Sequence, residues 1–90
     1  MAIVTAVSKK TALTNGTATK LVSASLTRAH LVISTNAQVK IGGSGVSESN
    51  GFGLVGGETL PIPTAGCQAE VWALSNVDGV VVSTLEFDLL

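Results

Sequence analysis

Residues 69–87 read AEVWALSNVDGVVVSTLEF, and this stretch decides the fold class. Two runs rich in β-branched residues, 69–74 and 80–87, flank the dipeptide Asp78-Gly79, which tolerates positive φ and lets the chain reverse tightly. Successive side chains of a strand point to opposite faces. In 80–87 one face carries Val81, Ser83, Leu85 and Phe87, and the other carries Val80, Val82, Thr84 and Glu86, so both are apolar near the start. Such a strand is either central in a sandwich with one face set against another subunit, or it forms a hydrophobic end of the domain.

The same signals recur along the chain. Residues 29–34 (AHLVIS) and 39–41 (VKI) are further strand runs, with weaker ones at 3–8, 20–24 and 59–62. Asn15-Gly16, Asn50-Gly51, Gly42-Gly43-Ser44-Gly45 and Gly56-Gly57 punctuate them, and Pro61 and Pro63 confine their segment to a sheet edge or a strand end. No window carries apolar residues at helical spacing without Gly, Pro or clustered Ser and Thr. Turn signals about every 8 to 12 residues predict an all-β domain, a small β-sandwich or jelly-roll-like barrel of about seven to eight short antiparallel strands. The prediction is one domain over residues 1–90, with residues 1–11 as a candidate extended N-terminal arm.

Composition narrows the function. Ninety residues leave room for one core and exclude a two-domain enzyme. Charged residues are 12% of the chain, against about 25% in ordinary soluble domains, while hydrophobic residues reach 46%. Five basic and six acidic side chains give a net charge of -1, which offers no cationic footprint for nucleic acid or an anionic membrane, so neither is an expected partner. Aromatic residues are 3%, only Phe52, Trp72 and Phe87, too few for a stacking platform. The single Cys67 excludes an intrachain disulfide framework and suits a reducing cytoplasm. Residues 1–7 are apolar but lack a preceding basic segment and meet Lys9 and Lys10, so no secretion signal is read there, and no apolar run is long enough for a bilayer helix.

The motifs that look chemical lack their context. Residues 51–56 (GFGLVG) satisfy the dinucleotide pattern, with Glu70 near the expected acidic position, but they do not follow a strand and open a helix that would hold a pyrophosphate; they read as glycine turns. His30 is the only histidine, and with Asp78 or Asp88 it lacks a nucleophile elbow, since Gly43-Ser44-Gly45 only approximates one. It reads as a half-exposed strand residue. Glu48, Glu58, Glu70, Asp78, Glu86 and Asp88 are scattered singly, as solvated charges. Cys67 has no basic neighbour to stabilise a thiolate and reads as a packed side chain, and Asn15-Gly16-Thr17 reads as a turn, not a glycosylation site. No catalytic residue, cofactor or metal site is expected. Trp72 and Phe52 are each either core or an interface anchor.

The order of segments resembles a group of small tailed-phage virion proteins, mainly capsid cement or decoration proteins and sometimes head-fibre or tail-associated modules. The likeness runs through Thr19-Lys20-Leu21-Val22, Arg28, residues 31–34, residues 39–46, Asn50-Gly51 with Leu54, Gly57-Glu58-Thr59-Leu60, Glu70-Val71-Trp72-Ala73 and residues 80–86. The resemblance implies a β-sandwich or jelly-roll-like domain added in many copies to the outer face of a phage head. It also implies a homo-oligomer, a trimer at three-fold points, whose partner is the major capsid protein. The alternative it carries is a head-fibre or tail-associated adhesion module that binds a host surface glycan.

Exposed apolar character points to two contact segments. Ile3, Val4 and Val7 are expected to contact the capsid, as an arm or an added strand. Phe87, Leu89 and Leu90 are expected to mediate self-association, because terminal apolar residues on a small domain otherwise fray into water.

Overall fold

A computed structural model describes residues 5–62 and 68–88. Eight strands follow one another: β1 (Thr5–Ala12), β2 (Thr19–Val22), β3 (Arg28–Thr35), β4 (Val39–Gly42), β5 (Phe52–Leu54), β6 (Thr59–Ile62), β7 (Val71–Leu74) and β8 (Val81–Asp88). They form two antiparallel sheets of four, sheet A in the order β1-β8-β3-β6 and sheet B in the order β2-β7-β4-β5. The pairs β1·β8, β2·β7, β3·β6 and β4·β5 are nested, like one long hairpin rolled up so that alternate pairs fall in opposite layers. Cross-pairs β3·β8 and β4·β7 complete the two layers. This is the wiring of a jelly roll.

The core lies between the layers and follows the two-residue alternation of the strands. Across sheet A, Lys9, Thr84, Ile33 and Leu60 stand in one row and Ser8, Leu85, Val32 and Pro61 in the next, since directly opposed residues share a face. Leu31, Ile33, Val82 and Thr84 point inward and are buried; they meet Leu21, Val39, Ile41, Leu54, Val71 and Ala73 of sheet B. Thr84 brings a hydroxyl into this apolar layer, and its Oγ1 has no hydrogen-bond partner among the described residues.

The sequence-based expectations differ from the structure in two elements. From Thr5 onward, the segment expected as a candidate N-terminal arm, with a weak strand at 3–8, is a sheet strand that continues to Ala12 and pairs with β8 along its whole length. Its small and hydroxyl-bearing residues hide the alternation that marks a strand. The dinucleotide-like glycine segment contains β5, whose Phe52, Gly53 and Leu54 pair with Ile41, Lys40 and Val39. Pro61 lies in β6, the other edge of sheet A, as expected of it, and Pro63 lies outside the described residues.

Two glycines illustrate different constraints. Gly79 has φ +77°, so the β7–β8 turn needs a residue without a Cβ penalty. At Gly51 φ is ordinary, but an added Cβ would stand 2.4 Å from Lys40 Cβ. The loop after β4 therefore passes directly against the sheet.

Two outcomes are expected in urea denaturation. Thr84→Val keeps the shape and removes the unpaired hydroxyl, raising stability by about 1 kcal/mol. Gly51→Ala is expected to lower it by ~1–3 kcal/mol through overpacking, whereas Gly43→Ala, with nothing within 4 Å of the added carbon, leaves it nearly unchanged.

Candidate interaction surface

Every connection except β4–β5 crosses between the sheets, so the loops gather at two ends. At one end the Asn36 side chain joins two turns: its Oδ1 accepts from Val81 N at 2.9 Å and its Nδ2 donates to the Gly79 carbonyl at 3.4 Å. Gly16 N donates to the Ser75 carbonyl at 2.7 Å, and Gly57 N to the Thr35 carbonyl at 3.0 Å. This end is tied by its own backbone.

The other end is closed by a charge. The Arg28 side chain is 3% exposed; its Nε donates to Glu86 Oε1 at 2.6 Å, Nη1 to the Ala69 carbonyl at 3.2 Å and Nη2 to the Ser23 carbonyl at 2.6 Å. One guanidinium thus fastens β3 to β8 and to the β2–β3 and β6–β7 loops beside the paired ends of β2 and β7. A planar fork with several donors suits that task, where a lysine could not reach three acceptors in fixed directions. Glu86, expected from sequence to be a solvated single charge, is instead the half-buried partner of this pair. Arg28 and Glu86 lie 58 residues apart, and nothing local in the sequence signals their meeting.

Above this latch the β2–β3 loop presents Leu26, which is 87% exposed. An exposed leucine alone is unremarkable. Here its loop is braced: Ser25 N donates to the Gln68 carbonyl at 2.9 Å, Gln68 Nε2 donates to the Leu26 carbonyl at 2.9 Å, and the Ser25 and Thr27 hydroxyls are 3.1 Å apart. The side chain is held out on a fixed frame.

The two outer sheet faces differ. On sheet B, Val46 and Leu74 are buried although neither belongs to the central core. The β4–β5 loop folds back over this face, bringing Val46 against Gly42 and Gly51, and Leu74 shares a small hollow with Lys40 and Glu48. Trp72 lies on the same side, half-buried, with Lys20 Nζ 5.9 Å from its ring centre and its Nε1 donating to Glu70 Oε1 at 3.2 Å. Sheet A has no such cover among the described residues. Its outer rows are Ala6, Phe87 and His30; Ser8, Leu85, Val32 and Pro61; Lys10, Ser83, Ser34 and Thr59; and Ala12 with Val81. A shallow groove of about 390 Å³ runs across the middle, floored by Val32 and Leu85 and lined by Ser8, Ser34, Thr59 and Ser83, with Lys10 at its side.

The candidate contact residues fall in several places. Val7 is 45% exposed on β1 but shares the inner-facing row with Glu86, while Phe87, 36% exposed, shares the outer row with Ala6. The two are therefore neighbours in sequence register yet lie on opposite faces. Ile3, Val4, Leu89 and Leu90, and likewise Cys67, lie outside the described residues. Phe52, 58% exposed, sits on the edge strand of sheet B. His30 is exposed on β3, its ring 6.3 Å from that of Phe87. Ser44 is on the β4–β5 loop of the other sheet, so the structure does not build a triad from it and His30. Among the described residues, no group of three or more His, Cys, Asp and Glu side chains converges.

Comparison with protein-family models, with curated proteins and with solved structures found no match. What remains to interpret is the surface: one bare sheet face and one braced apolar tip.

The Arg28 latch makes a measurable difference. Arg28→Ala leaves a part-buried carboxylate and two carbonyls without their donor and is expected to cost about 3–5 kcal/mol in urea denaturation. Glu86→Gln keeps an acceptor oxygen and is expected to cost less than half as much.

Proposed function

We propose that this chain is a structural virion protein, a capsid cement or decoration protein that binds the outside of a phage head and strengthens contacts between major capsid subunits. The observation that carries the proposal is Leu26, an almost fully exposed leucine on a loop braced by Gln68 and, beneath it, by Arg28. A pre-ordered apolar anchor ringed by Ser25 and Thr27 loses little conformational freedom on docking, which is what a small protein needs to gain affinity from a small contact. The jelly-roll wiring and the sequence resemblance favour the same setting. Fold alone assigns no function, and the weight rests on the surface.

The mechanics of cementing ask for a rigid body, not a reactive centre. Separating two shell subunits bridged by this domain requires breaking its contacts with both. In an assembly of several copies, the trimer of the same proposal, all contacts must be released together, so detachment is slow even where each is modest. Internal pressure from packaged DNA then works against a higher barrier.

The experiment compares phage particles carrying the protein with particles stripped of it, warming both and recording DNA release. We expect release at a lower temperature without the protein, and restoration on adding back the purified chain. Leu26→Ser, which leaves the core untouched, is expected to weaken rebinding at least tenfold. Identical release temperatures together with binding to host polysaccharide would overturn the cement reading in favour of adhesion.

A further inference from the structure

We propose that the outer face of sheet A is covered by a second copy of this chain, and that Phe87 of one copy seats in the Ser83–Leu85 groove of its neighbour. The two outer faces set up the argument. Sheet B spends a whole loop on covering its face and buries Val46 and Leu74 there. Sheet A leaves Val32, Leu85, Val81 and Phe87 with no covering segment among the described residues, although the two sheets belong to one small domain.

Charge selects the occupant. The outer rows of β3, β6 and β8 hold no lysine, arginine or carboxylate; on the edge strand β1, Lys10 stands in an outer row and Lys9 also lines the groove. A charged partner finds only these marginal lysines to pair with, whereas the uncharged rows of β3, β6 and β8 meet their own copy without repulsion and with little desolvation cost. Lys10, at the margin, can lay its stem on the contact and keep its ammonium in water. The groove hydroxyls of Ser8, Ser34, Thr59 and Ser83 have no hydrogen-bond partner among the described residues and remain available for bonds across the contact.

Size and shape agree. Three eight-residue strands and one shorter strand span about 500 Å² in projection. Corrugation raises the accessible area towards the ~800 Å² per partner of a standard interface. Phe87 projects at one end of this face and the groove lies at its middle, so each copy carries both a knob and a hole. Reciprocal seating gives a pair, and head-to-tail seating gives a ring where the rotation between copies closes.

The test is sedimentation velocity on the purified chain from about 1 to 100 µM. A discrete dimer or trimer is expected for the natural sequence. Ser83→Arg, which fills the groove, and Phe87→Ser, which removes the knob, are expected to weaken association at least tenfold, while Thr17→Arg, in a turn away from the face, leaves it unchanged. Cooperative urea unfolding of each variant separates lost association from lost folding. A monomer at 100 µM, or an oligomer indifferent to both Ser83→Arg and Phe87→Ser, would falsify the proposal. The measurement uses the isolated chain, so its outcome is independent of whether the protein binds a phage head.

Discussion

Strand β8 is hydrogen-bonded on both sides, to β1 and to β3, and its alternation sets the character of both surfaces of sheet A. Val82 and Thr84 enter the core, and the residues between them form the outer face. Shifting this strand by one residue would exchange the two sets and expose Val82 while burying Ser83 and Phe87. Because β3 and β1 take their register from it, most of sheet A rests on this constraint. The nested wiring then leaves little freedom to sheet B, since six of the seven connections pass directly from one layer to the other.

Much of the fold was legible in the sequence because the long strands carry their signals locally. Residues 29–34 and 80–87 fall within one or two residues of β3 and β8, and 59–62 coincides with β6. The two apolar faces of 80–87 left open a central strand or a hydrophobic end of the domain, and β8 is central in sheet A. Failures occurred where local signals mislead. β5 is three residues long with glycine at its centre, and its pairing with β4 comes from the hairpin, not from propensity. In β1, Ser8, Lys9, Lys10 and Thr11 look like an exposed arm because an edge strand of a thin sandwich is exposed on nearly every position.

The surface was less legible than the fold, for a physical reason. Arg28 and Glu86 are unremarkable singly, and only the return of β8 beside β3 makes them a buried pair. Leu26 sits in a polar loop with no periodicity, and its importance comes from the bracing by Gln68, 42 residues away. Trp72, left open as core or anchor, is not part of the central core: it lies half-buried on the covered side of sheet B beside Lys20. Long-range hydrogen bonds to loop carbonyls leave no trace in composition or spacing, and on this molecule they give the surface its rigidity.

The register that pairs Thr5 with Asp88 has a mechanical consequence. Chain entering at Thr5 and chain leaving at Asp88 do so from one corner, so tension applied through both would peel β1 from β8 like a zipper, one rung at a time. A load applied between that corner and the opposite, Asn36 end is instead carried along the strands, where many bonds must yield at once. The domain is therefore compliant toward tension at that corner and stiff toward a load along its strands.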